Sequence, residues 1–425
     1  MQTHKRVLIV GTVPYNEMST SRAFDSYFRF WEKENLAQIF SNAKAPVKGP
    51  CGTLFQITDE RMLKRRFNRK TETGVVFNYG DLADKWDDSS LEVSNGVAKM
   101  YRFGSRKNSF VYLLRKFIWK RKYWRSEKLL SWLDEFSPEC VFLSFSDDFF
   151  IPQIALFVAE RYNIPIVSSI GDDYYFNYKF SLSPFYHIYK LAYRKLIRKV
   201  FAHKGSAIYI GDKIRDKYNA SFGLEGKTVY LTSSIERRPF RTISETNPEI
   251  SYFGNIRLGR NESLKDIGQA LGRIDRNYVL NVYSNENDPK FCKLFDGDPN
   301  IRYREVAKKT VESDIVIVVE GFRKKDVDIT RYSLSTKVAD SLSSGVAVFA
   351  YGSRDCGAIE YAESVGCIVT CVEKNELEKS LRSLIFDPAR QKENYEKSAE
   401  VVAKNHRLEK STEIFESVVN NVCGG

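Results

Sequence analysis

The segment Asp314–Tyr351 constrains the fold of this chain more than any other stretch. It opens with the β-branched run Ile315–Val319 and closes with a second apolar run, Val346–Tyr351, and both are typical of strands buried on two faces. Between the runs, Val338 and Leu342 are four residues apart and share one face of a short helix. The spacing therefore predicts a strand–helix–strand unit in a parallel sheet, with ligands at the C-terminal ends of the strands.

The start of this predicted helix carries groups that suit a phosphate. Ser335 and Thr336 supply hydroxyls and free backbone N–H groups at the positive end of the helix dipole. Lys337 follows in the first turn, where a cation is disfavoured by roughly 0.3–1 kcal/mol unless something negative is near. A bound phosphate would supply that negative charge. Alternatively, Ser335 is an ordinary cap and Lys337 pairs with Asp340.

The run Tyr332–Gly345 and the strand after it resemble the donor-binding segment of GT-B glycosyltransferases of the group-1, GT4-like type. Their usual pattern has an acidic residue five positions before the glycine, where it holds the donor ribose, and Asp340 stands there. The other acid of the pattern falls on Tyr332, so this chain departs from the standard two-glutamate motif. The resemblance implies that a nucleotide-diphosphate sugar binds through Ser335, Thr336, Lys337 and Asp340.

The length of 425 residues predicts two domains of ordinary size. The resemblance implies an α/β fold of the GT-B type, in which two Rossmann-like parallel-sheet domains face each other across a cleft. The expected parts are an acceptor domain over residues 1–236, a linker over 237–248, a nucleotide-sugar domain over 249–405, and a C-terminal helix over 406–425 that crosses back to the first domain.

Composition argues against several other classes of protein. No run approaches 18 uncharged apolar residues, and the apolar patch Val7–Val10 is too short for a signal peptide. Seven cysteines without a C-x-x-C pair indicate a reducing compartment. The four histidines are not at metal-ligand spacing, and the D-x-D tripeptides at 296–298 and 326–328 fall in predicted loops. We therefore expect no metal and no cofactor.

The second predicted domain opens with a strand and a glycine-punctuated loop. By resemblance, Arg257 and Arg260 match the basic residues that face the donor diphosphate, and the planar guanidinium suits phosphate oxygens. Alternatively, these arginines pair with Glu262 or with solvent. Glu320 ends the central strand, where we expect a cleft-facing acid that contacts the donor sugar or base.

Two sets of residues are candidates in the first predicted domain. Gly11 and Thr12 end the first strand and lie on the acceptor side by resemblance, although an ordinary turn explains them equally well. Asp172 and Asp173 follow a later strand, where a carboxylate can take the acceptor proton or stabilise positive charge on the sugar. They are the predicted catalytic residues, with a helix N-cap as the alternative.

The net charge of +12 is concentrated in two patches. Residues 100–130 hold ten Lys/Arg and one acid, and residues 174–211 hold seven Lys/Arg and no acid. The remainder of the chain is therefore close to −4. Local concentration of this kind indicates a specific anionic surface as partner.

Aromatic residues accompany the first patch on one predicted helical face, namely Phe110, Leu114, Phe117 and Trp124. This pattern suits an interfacial helix on an anionic bilayer. RNA binding would use the same residues, and a domain helix with a solvated basic rim is the third interpretation. In the second patch, over 184–204, the predicted core face is Ile188, Leu191, Ile197 and Val200. The predicted exposed residues are Lys190, Arg194, Lys195, Arg198 and Lys199.

The resemblance implies a metal-independent glycosyltransferase that moves a sugar from a nucleotide-diphosphate donor to a polysaccharide or lipid-linked oligosaccharide. Retention at the anomeric carbon is implied by the resemblance alone. We expect a cytoplasmic enzyme, peripheral on an anionic membrane through residues 100–130 and 184–204, with no nucleic-acid partner. The alternatives are a sugar-nucleotide epimerase of the same shape, which would need more histidines and acids in its cleft, and a non-catalytic basic module that binds RNA or anionic lipid.

Overall fold

A computed structural model of the chain describes residues 4–15, 22–84, 109–178, 181–304 and 310–424. The chain divides into two compact units. Unit 1 comprises Met1–Tyr209, Arg215–Thr228 and Thr412–Gly425, and unit 2 comprises Ile210–Ile214 and Val229–Ser411. In this division the expected linker 237–248 lies within unit 2, and the expected C-terminal segment 406–425 is shared between the units.

Unit 1 is built on a sheet that has eight strands among the described residues. They are β1 Val7–Val10, β2 Leu36–Phe40, β3 Thr53–Ile57, β4 Gly74–Asn78, β5 Cys140–Ser144, β6 Ile166–Ile170, β7 Gly205–Tyr209 and β8 Lys227–Thr228. Their order is β4-β3-β2-β1-β5-β6-β7-β8, and every neighbouring pair is parallel except β3 with β4. The sequence did not predict β3 and β4.

The structure describes nine helices in unit 1. They are Arg22–Phe28, Asp59–Phe67, Ser109–Ile118, Arg121–Trp124, Glu127–Phe136, Phe150–Tyr162 and Pro184–Ala202, together with Asp212–Phe222 and Leu408–Gly424, whose first residues belong to unit 2. Short 3-10 turns lie at Lys33–Asn35 and Tyr79–Asp81. Phe415 anchors the last helix, because its ring lies 4.9 Å from that of Phe28 and 5.6 Å from that of Phe142.

Among the described residues of unit 2, six strands form one sheet, and all of its neighbouring pairs are parallel. Its strands are β9 Ile250–Phe253, β10 Leu280–Tyr283, β11 Ile301–Arg304, β12 Ile315–Val319, β13 Ala347–Tyr351 and β14 Val369–Cys371, in the order β11-β10-β9-β12-β13-β14. Its helices are Arg260–Ile274, Pro289–Cys292, Lys324–Thr330, Thr336–Ser344, Gly357–Val365, Leu377–Ile385 and Pro388–Val401. Lys293–Phe295, Thr310–Glu312 and Lys374–Glu376 are 3-10 turns, and Val402–His406 is a π-helical turn. Two Rossmann-like parallel-sheet units confirm the predicted fold class.

The strand–helix–strand unit predicted over residues 314–351 is confirmed. Strands β12 and β13 pair in parallel over five residues each, and Val338 and Leu342 of the helix Thr336–Ser344 are buried. The helix ends at Gly345, whose φ of 73° lies in the left-handed region that glycine adopts without strain.

One part of that unit was predicted wrongly. The stretch after β12, read from sequence as a loop, contains the helix Lys324–Thr330. Asp326 and Asp328 of the second D-x-D tripeptide lie on this helix. Asp326 accepts a hydrogen bond from Arg323, and Asp328 pairs with Lys324 one turn away.

The two basic patches also differ from prediction. Residues 100–108 lie outside the described chain. Trp124, expected on the same face as Phe117, is fully buried against Phe157. On the helix Pro184–Ala202, Ile188 and Leu191 were expected in the core but are exposed.

The core positions of that helix are taken partly by aromatic residues. Tyr189 and Tyr193 are buried there together with Ile197 and Val200. Lys190 is also buried, rather than exposed, and its Nζ donates to the Tyr174 carbonyl at 2.6 Å. None of the described helices is both long enough and apolar enough to span a bilayer.

Candidate functional site

The sheet of unit 2 changes direction between β9 and β12. From β9 the chain continues to β10 and β11 on one side, and from β12 it continues to β13 and β14 on the other. In open α/β sheets, ligands bind at this switch point, outside the carboxyl ends of the strands. The loops that follow β9 and β12 therefore border the candidate site.

These two loops approach each other so closely that glycine is required. A Cβ on Gly321 would lie 2.4 Å from the carbonyl oxygen of Leu258. Gly259 has a φ of 76° and precedes the helix Arg260–Ile274. Bare backbone from both loops therefore forms this edge of the sheet.

The helix Thr336–Ser344 begins at the same edge, because it runs antiparallel between two parallel strands. The Ser335 hydroxyl caps it by accepting a hydrogen bond from the Lys337 backbone N–H at 3.3 Å. Thr336 and Lys337 are exposed. Within the described part of the chain, no carboxylate forms an ion pair with the Lys337 ammonium. The pairing of Lys337 with Asp340, considered from sequence, is not present.

A pocket of about 640 Å³ lies beside this helix, within the size range of small-molecule sites. Lys337, Asp340 and Ser341 line it from the helix, and Phe253, Val316 and Ile317 line it from β9 and β12. The remaining lining residues are Thr310 and Val311 and the segment 235–238. The pocket thus combines an apolar floor with a cation and an anion from one helix.

Asp340 is held in place by a residue distant in sequence. The hydroxyl of Ser233 donates to the Asp340 carboxylate at 2.8 Å and accepts from the Ile235 backbone N–H at 3.2 Å. Because an ionised carboxylate only accepts hydrogen bonds, the Ser233 hydroxyl supplies the proton of this contact.

Arg260 and Glu320 form a buried ion pair at the ends of β9 and β12. Arg260 donates to both carboxylate oxygens of Glu320 at 2.9 Å, and the Glu320 side chain is only 3% exposed. Burial raises the pKa of Glu320 even though Arg260 opposes the shift. Burial lowers the pKa of Arg260, but Glu320 outweighs this and the pKa is raised overall. Neither residue lines the pocket that contains Lys337.

Arg257 lies apart from this pair and is exposed. Its guanidinium donates two hydrogen bonds to the Glu286 carboxylate, one of them at 3.1 Å. The guanidinium also lies 5.3 Å from the centre of the Phe291 ring. The sequence suggested Glu262 as the alternative partner for these arginines. In the structure, Arg257 instead pairs with Glu286, and Arg260 pairs with Glu320.

Sequence reasoning missed two arginines that line the pocket. Arg237 donates to the Ser398 hydroxyl at 2.8 Å and stacks over the Tyr395 ring at 4.1 Å. Arg238 donates to the Val311 carbonyl at 3.1 Å, and its Nε is buried without a hydrogen-bond partner among the described residues. Burial, with Arg241 nearby, lowers the pKa of Arg238 to about 10. The only sequence signal was the Arg-Arg pair in a stretch interpreted as a linker.

Unit 1 has a switch point of its own, between β1 and β5. Gly11 follows β1, and a Cβ on it would lie 3.1 Å from the Cβ of Ser144 at the end of β5. The carbonyl of Thr12 accepts hydrogen bonds from the backbone N–H groups of Ser41 and Asn42 at 3.3 and 2.9 Å. Gly11 and Thr12 therefore lie at the carboxyl edge of this sheet, which is the edge at which ligands bind in open α/β sheets.

Asp172 and Asp173 follow β6 but have different environments. Asp173 is buried and accepts three hydrogen bonds, from the Tyr218 hydroxyl at 2.7 Å and from the backbone N–H groups of Phe176 at 2.7 Å and Tyr175 at 3.0 Å. It organises the turn that follows the strand. Asp172 is exposed and lies 3.4 Å from the Tyr174 hydroxyl. Of the pair, Asp172 is therefore the residue that is open to solvent.

A second pair of carboxylates was missed. Asp147 and Asp148 follow β5, and Arg115 pairs with both Asp148 and Asp59. The Tyr112 hydroxyl donates to Asp147 at 2.7 Å. Burial raises the pKa of Asp148 to about 6, with Arg115 acting against the shift. Two adjacent acids within a few residues of the end of a buried strand are the same sequence signal that singled out the acids after β6. Within the described residues, no group of three or more His, Cys, Asp or Glu is placed to hold a metal.

Comparison with solved structures identifies the fold. TarM superposes with a TM-score of 0.59 at 10% identity, over 98% of this chain and 99% of that chain. HepE from Anabaena, in complex with UDP and glucose, gives 0.58 at 9% identity over 98% and 100% of the two chains. WaaG, a glycosyltransferase involved in lipopolysaccharide biosynthesis, gives 0.51 at 12% identity over 99% and 100%. The fold is GT-B.

No family model and no curated protein matches the sequence. Since the identities to these structures are low, the likeness concerns the GT-B fold itself. The predicted architecture is confirmed at this level. The assignment of particular side chains to a donor or an acceptor depends on the geometry described above.

Proposed function

We propose that this GT-B protein is a glycosyltransferase that moves a sugar from a nucleotide-diphosphate donor, bound in unit 2, to a saccharide or lipid-linked saccharide bound by unit 1. The observation that carries the proposal is that Lys337 and Asp340 line one pocket of about 640 Å³. The shared fold with WaaG, and with HepE bound to UDP and glucose, supports it. Retention at the anomeric carbon belongs to the proposal through the resemblance alone.

The donor contacts follow from the helix start. The diphosphate meets the Lys337 ammonium and the Ser335 and Thr336 hydroxyls at the positive end of the helix dipole. Asp340 accepts hydrogen bonds from the ribose hydroxyls. As the glycosidic bond breaks, negative charge accumulates on the diphosphate, and these positive groups stabilise it. This stabilisation lets the residues of the chain support the leaving group without a metal ion.

The two arginines predicted from sequence take a different place in the proposal. Arg260 and Glu320 form a buried ion pair with each other. In this proposal the pair stabilises the ends of β9 and β12, so Arg260 does not bind phosphate and Glu320 does not contact the sugar. Arg257 contacts the donor only after its ion pair with Glu286 is broken. Arg237 and Arg238, which line the pocket, add positive potential at its wall.

The acceptor is proposed to bind at the carboxyl edge of the unit 1 sheet, near Gly11 and Thr12. Asp172 is the proposed catalytic carboxylate there, because Asp173 is engaged by three hydrogen bonds. A carboxylate at this place can accept the acceptor proton or stabilise positive charge on the sugar.

The proposed location is the inner face of an anionic membrane, reached through the two basic patches of unit 1. Seven free thiols fit a reducing compartment. Lipid-linked saccharides are presented at such a surface, so enzyme and acceptor would meet there.

A thermal-shift screen with UDP, GDP, their sugars and an RNA oligomer tests the proposed function. The proposal predicts stabilisation by one nucleoside diphosphate and by its sugar, and release of that diphosphate when a saccharide acceptor is added. Stabilisation by RNA alone would indicate a basic RNA-binding module instead. Interconversion of the donor sugar without transfer would indicate an epimerase.

A further inference from the structure

The helix Ser109–Ile118 in unit 1 leaves an apolar face uncovered. Phe110, Leu114 and Phe117 recur at helical spacing and are 46%, 45% and 54% exposed. Val111 on the opposite face is buried. The helix is thus anchored by one face, while large side chains on the other remain in solvent.

The helix Pro184–Ala202 has the same property. Phe185, Ile188 and Leu191 lie at a spacing of three and are 45%, 54% and 66% exposed. The core side of this helix is filled by other residues, such as Tyr193. Its apolar exposure therefore lies on the face turned away from the sheet.

The two exposed faces adjoin each other. The rings of Phe110 and Phe185 lie 5.6 Å apart at 69°, and the rings of Tyr112 and Tyr189 stack at 5.0 Å. The six exposed apolar residues therefore form one patch, the two-helix surface, consisting of Phe110, Leu114, Phe117, Phe185, Ile188 and Leu191. A contiguous apolar patch of this kind on a soluble domain marks an interaction site.

Both helices of the two-helix surface are rich in positive charge. Residues 109–125 contain six Lys/Arg and residues 181–211 contain another six, and neither stretch has an acidic residue. The exposed cations follow the apolar residues along each helix. They are Lys120, Arg121, Lys122 and Arg125 after the first helix, and Lys195, Arg198 and Lys199 on the second.

We propose that the two-helix surface inserts its apolar side chains into the headgroup–acyl boundary of an anionic lipid bilayer, while the flanking lysines and arginines bind the lipid headgroups. This inference names the residues through which the proposed membrane contact is made. It rests on the proposed function only for the nature of the acceptor. It identifies Ile188 and Leu191, which the sequence pattern placed in the core, as membrane-contacting residues.

The aliphatic members of the patch favour a bilayer over RNA. RNA-binding surfaces combine cations with aromatic rings on which bases stack. Leu114, Ile188 and Leu191 offer no stacking face, whereas an acyl-chain boundary accepts them directly. Apolar insertion and electrostatic attraction together give the two signals that stable peripheral binding requires.

The surface is also tied to the proposed acceptor edge of unit 1. Tyr112 and Tyr189, one from each helix, donate hydrogen bonds to the side chain and to the carbonyl of Asp147. Asp147 follows β5, the strand that borders the switch point. The bilayer contact therefore lies beside the loop that would meet a saccharide emerging from the headgroup layer.

Vesicle co-sedimentation of the full chain tests this proposal. We expect binding to vesicles of equal parts phosphatidylglycerol and phosphatidylcholine and little binding to phosphatidylcholine alone. Ile188→Ser combined with Leu191→Ser should lower the partition coefficient by about tenfold or more, because two side chains no longer enter the apolar boundary. Lys195→Glu should lower it roughly fivefold or more on anionic vesicles only.

Phe386→Ser is the matched control, since Phe386 is 40% exposed but lies in unit 2. It should leave the partition coefficient unchanged. All variants should keep the wild-type unfolding temperature and the nucleotide-induced shift, so loss of lipid binding is distinguishable from failure of the proposed function.

Two results would overturn the proposal. One is equal partition of the Ile188→Ser/Leu191→Ser variant and the wild type. The other is absence of binding of the wild-type chain to anionic vesicles. RNA binding that depends on the same residues would then assign the surface to RNA.

Discussion

Lys337 and Asp340 stand three residues apart on the helix Thr336–Ser344 and line the same pocket in unit 2. The cation occupies the first turn, where the helix dipole alone would disfavour it. The anion is fixed by the hydroxyl of Ser233 at 2.8 Å. This pair suits a ligand that carries a phosphate at one end and a diol at the other, as a nucleoside diphosphate does.

Replacing Lys337 with Ala is expected to weaken binding of the nucleoside diphosphate by about ten- to a hundredfold, because a charge-assisted contact of roughly 1.5–3 kcal/mol is lost. Isothermal titration calorimetry with UDP and GDP measures this change in affinity. Lys324→Ala is the matched control, since Lys324 is an exposed lysine in the first turn of another helix of unit 2. Unchanged affinity of the Lys337 variant would remove the phosphate assignment.

Asp340→Asn is expected to weaken nucleotide binding about tenfold through loss of a charged acceptor for the ribose. The same substitution should have little effect on a 2′,3′-dideoxy nucleotide, which lacks those hydroxyls. Ser233→Ala should give a smaller loss, about threefold, and Ser233→Thr should restore binding, because threonine keeps the hydroxyl. Equal losses for both nucleotides would contradict the ribose contact.

Asp172 and Asp173 are expected to differ in what their replacement changes. Asp173→Ala should lower the free energy of unfolding by about 2–4 kcal/mol, since two buried donors and one partly buried donor lose their acceptor. Asp172→Ala should leave stability within about 0.5 kcal/mol and reduce transfer at least about a hundredfold. Urea unfolding and a transfer assay on both variants decide between these roles. Full activity of Asp172→Ala would exclude it as the catalytic carboxylate.

Arg260 and Glu320 are expected to stabilise unit 2 as a buried ion pair. Arg260→Met leaves the Glu320 carboxylate without a partner and should cost about 3–5 kcal/mol of unfolding free energy. The double variant Arg260→Met/Glu320→Leu should recover most of that loss, because no charge remains buried. Urea unfolding measures the free energy of unfolding of the single and the double variant. No recovery in the double variant would show that Arg260 stabilises unit 2 in another way.

Asp148 is expected to make stability depend on pH. Burial raises its pKa from 3.8 to about 6, so the folded chain holds this proton more tightly than the unfolded chain. The resulting stabilisation is fully present below about pH 4 and is lost as the pH rises through 6. Relative to Asp148→Asn, the wild type should therefore lose on the order of 2–3 kcal/mol between pH 4 and 7. A pH-independent difference would mean that Asp148 is not perturbed.

The parts of the fold that could be predicted are those in which a local pattern has one physical meaning. The run Ile315–Val319 has no polar side for solvent, so it had to be a central strand. Gly345 marks the helix end because the left-handed cap favours glycine. The short helix Lys324–Thr330 escaped prediction, since it has no side-chain cap hydrogen bond and few apolar residues to give a period.

The errors in unit 1 arose where a helix has more than one apolar face. On Pro184–Ala202, Tyr189 and Tyr193 compete with Ile188 and Leu191 for the core, and periodicity alone does not choose between the two faces. The buried aromatics are held by contacts from distant loops, such as the hydrogen bond of the Tyr193 hydroxyl to the Ser146 carbonyl. Only the assembled sheet decides which face is covered.

Of the residues that line the pocket of unit 2, the sequence singled out only those that belong to one local motif. Lys337 and Asp340 belong to one local motif and could be found from their spacing. Arg237 contacts Tyr395 and Ser398, about 160 residues later in the chain, so no local pattern links it to the site. The same holds for Ser233 and its hydrogen bond to Asp340.

The most direct test is a crystal structure of the chain soaked with the nucleoside diphosphate that gives the larger thermal shift, UDP or GDP. The expected result is a diphosphate at the start of the helix Thr336–Ser344, within hydrogen-bond distance of the Lys337 ammonium, with the ribose hydroxyls on Asp340. A nucleotide bound elsewhere in the chain, or density that leaves both side chains without ligand, would contradict the proposed donor site.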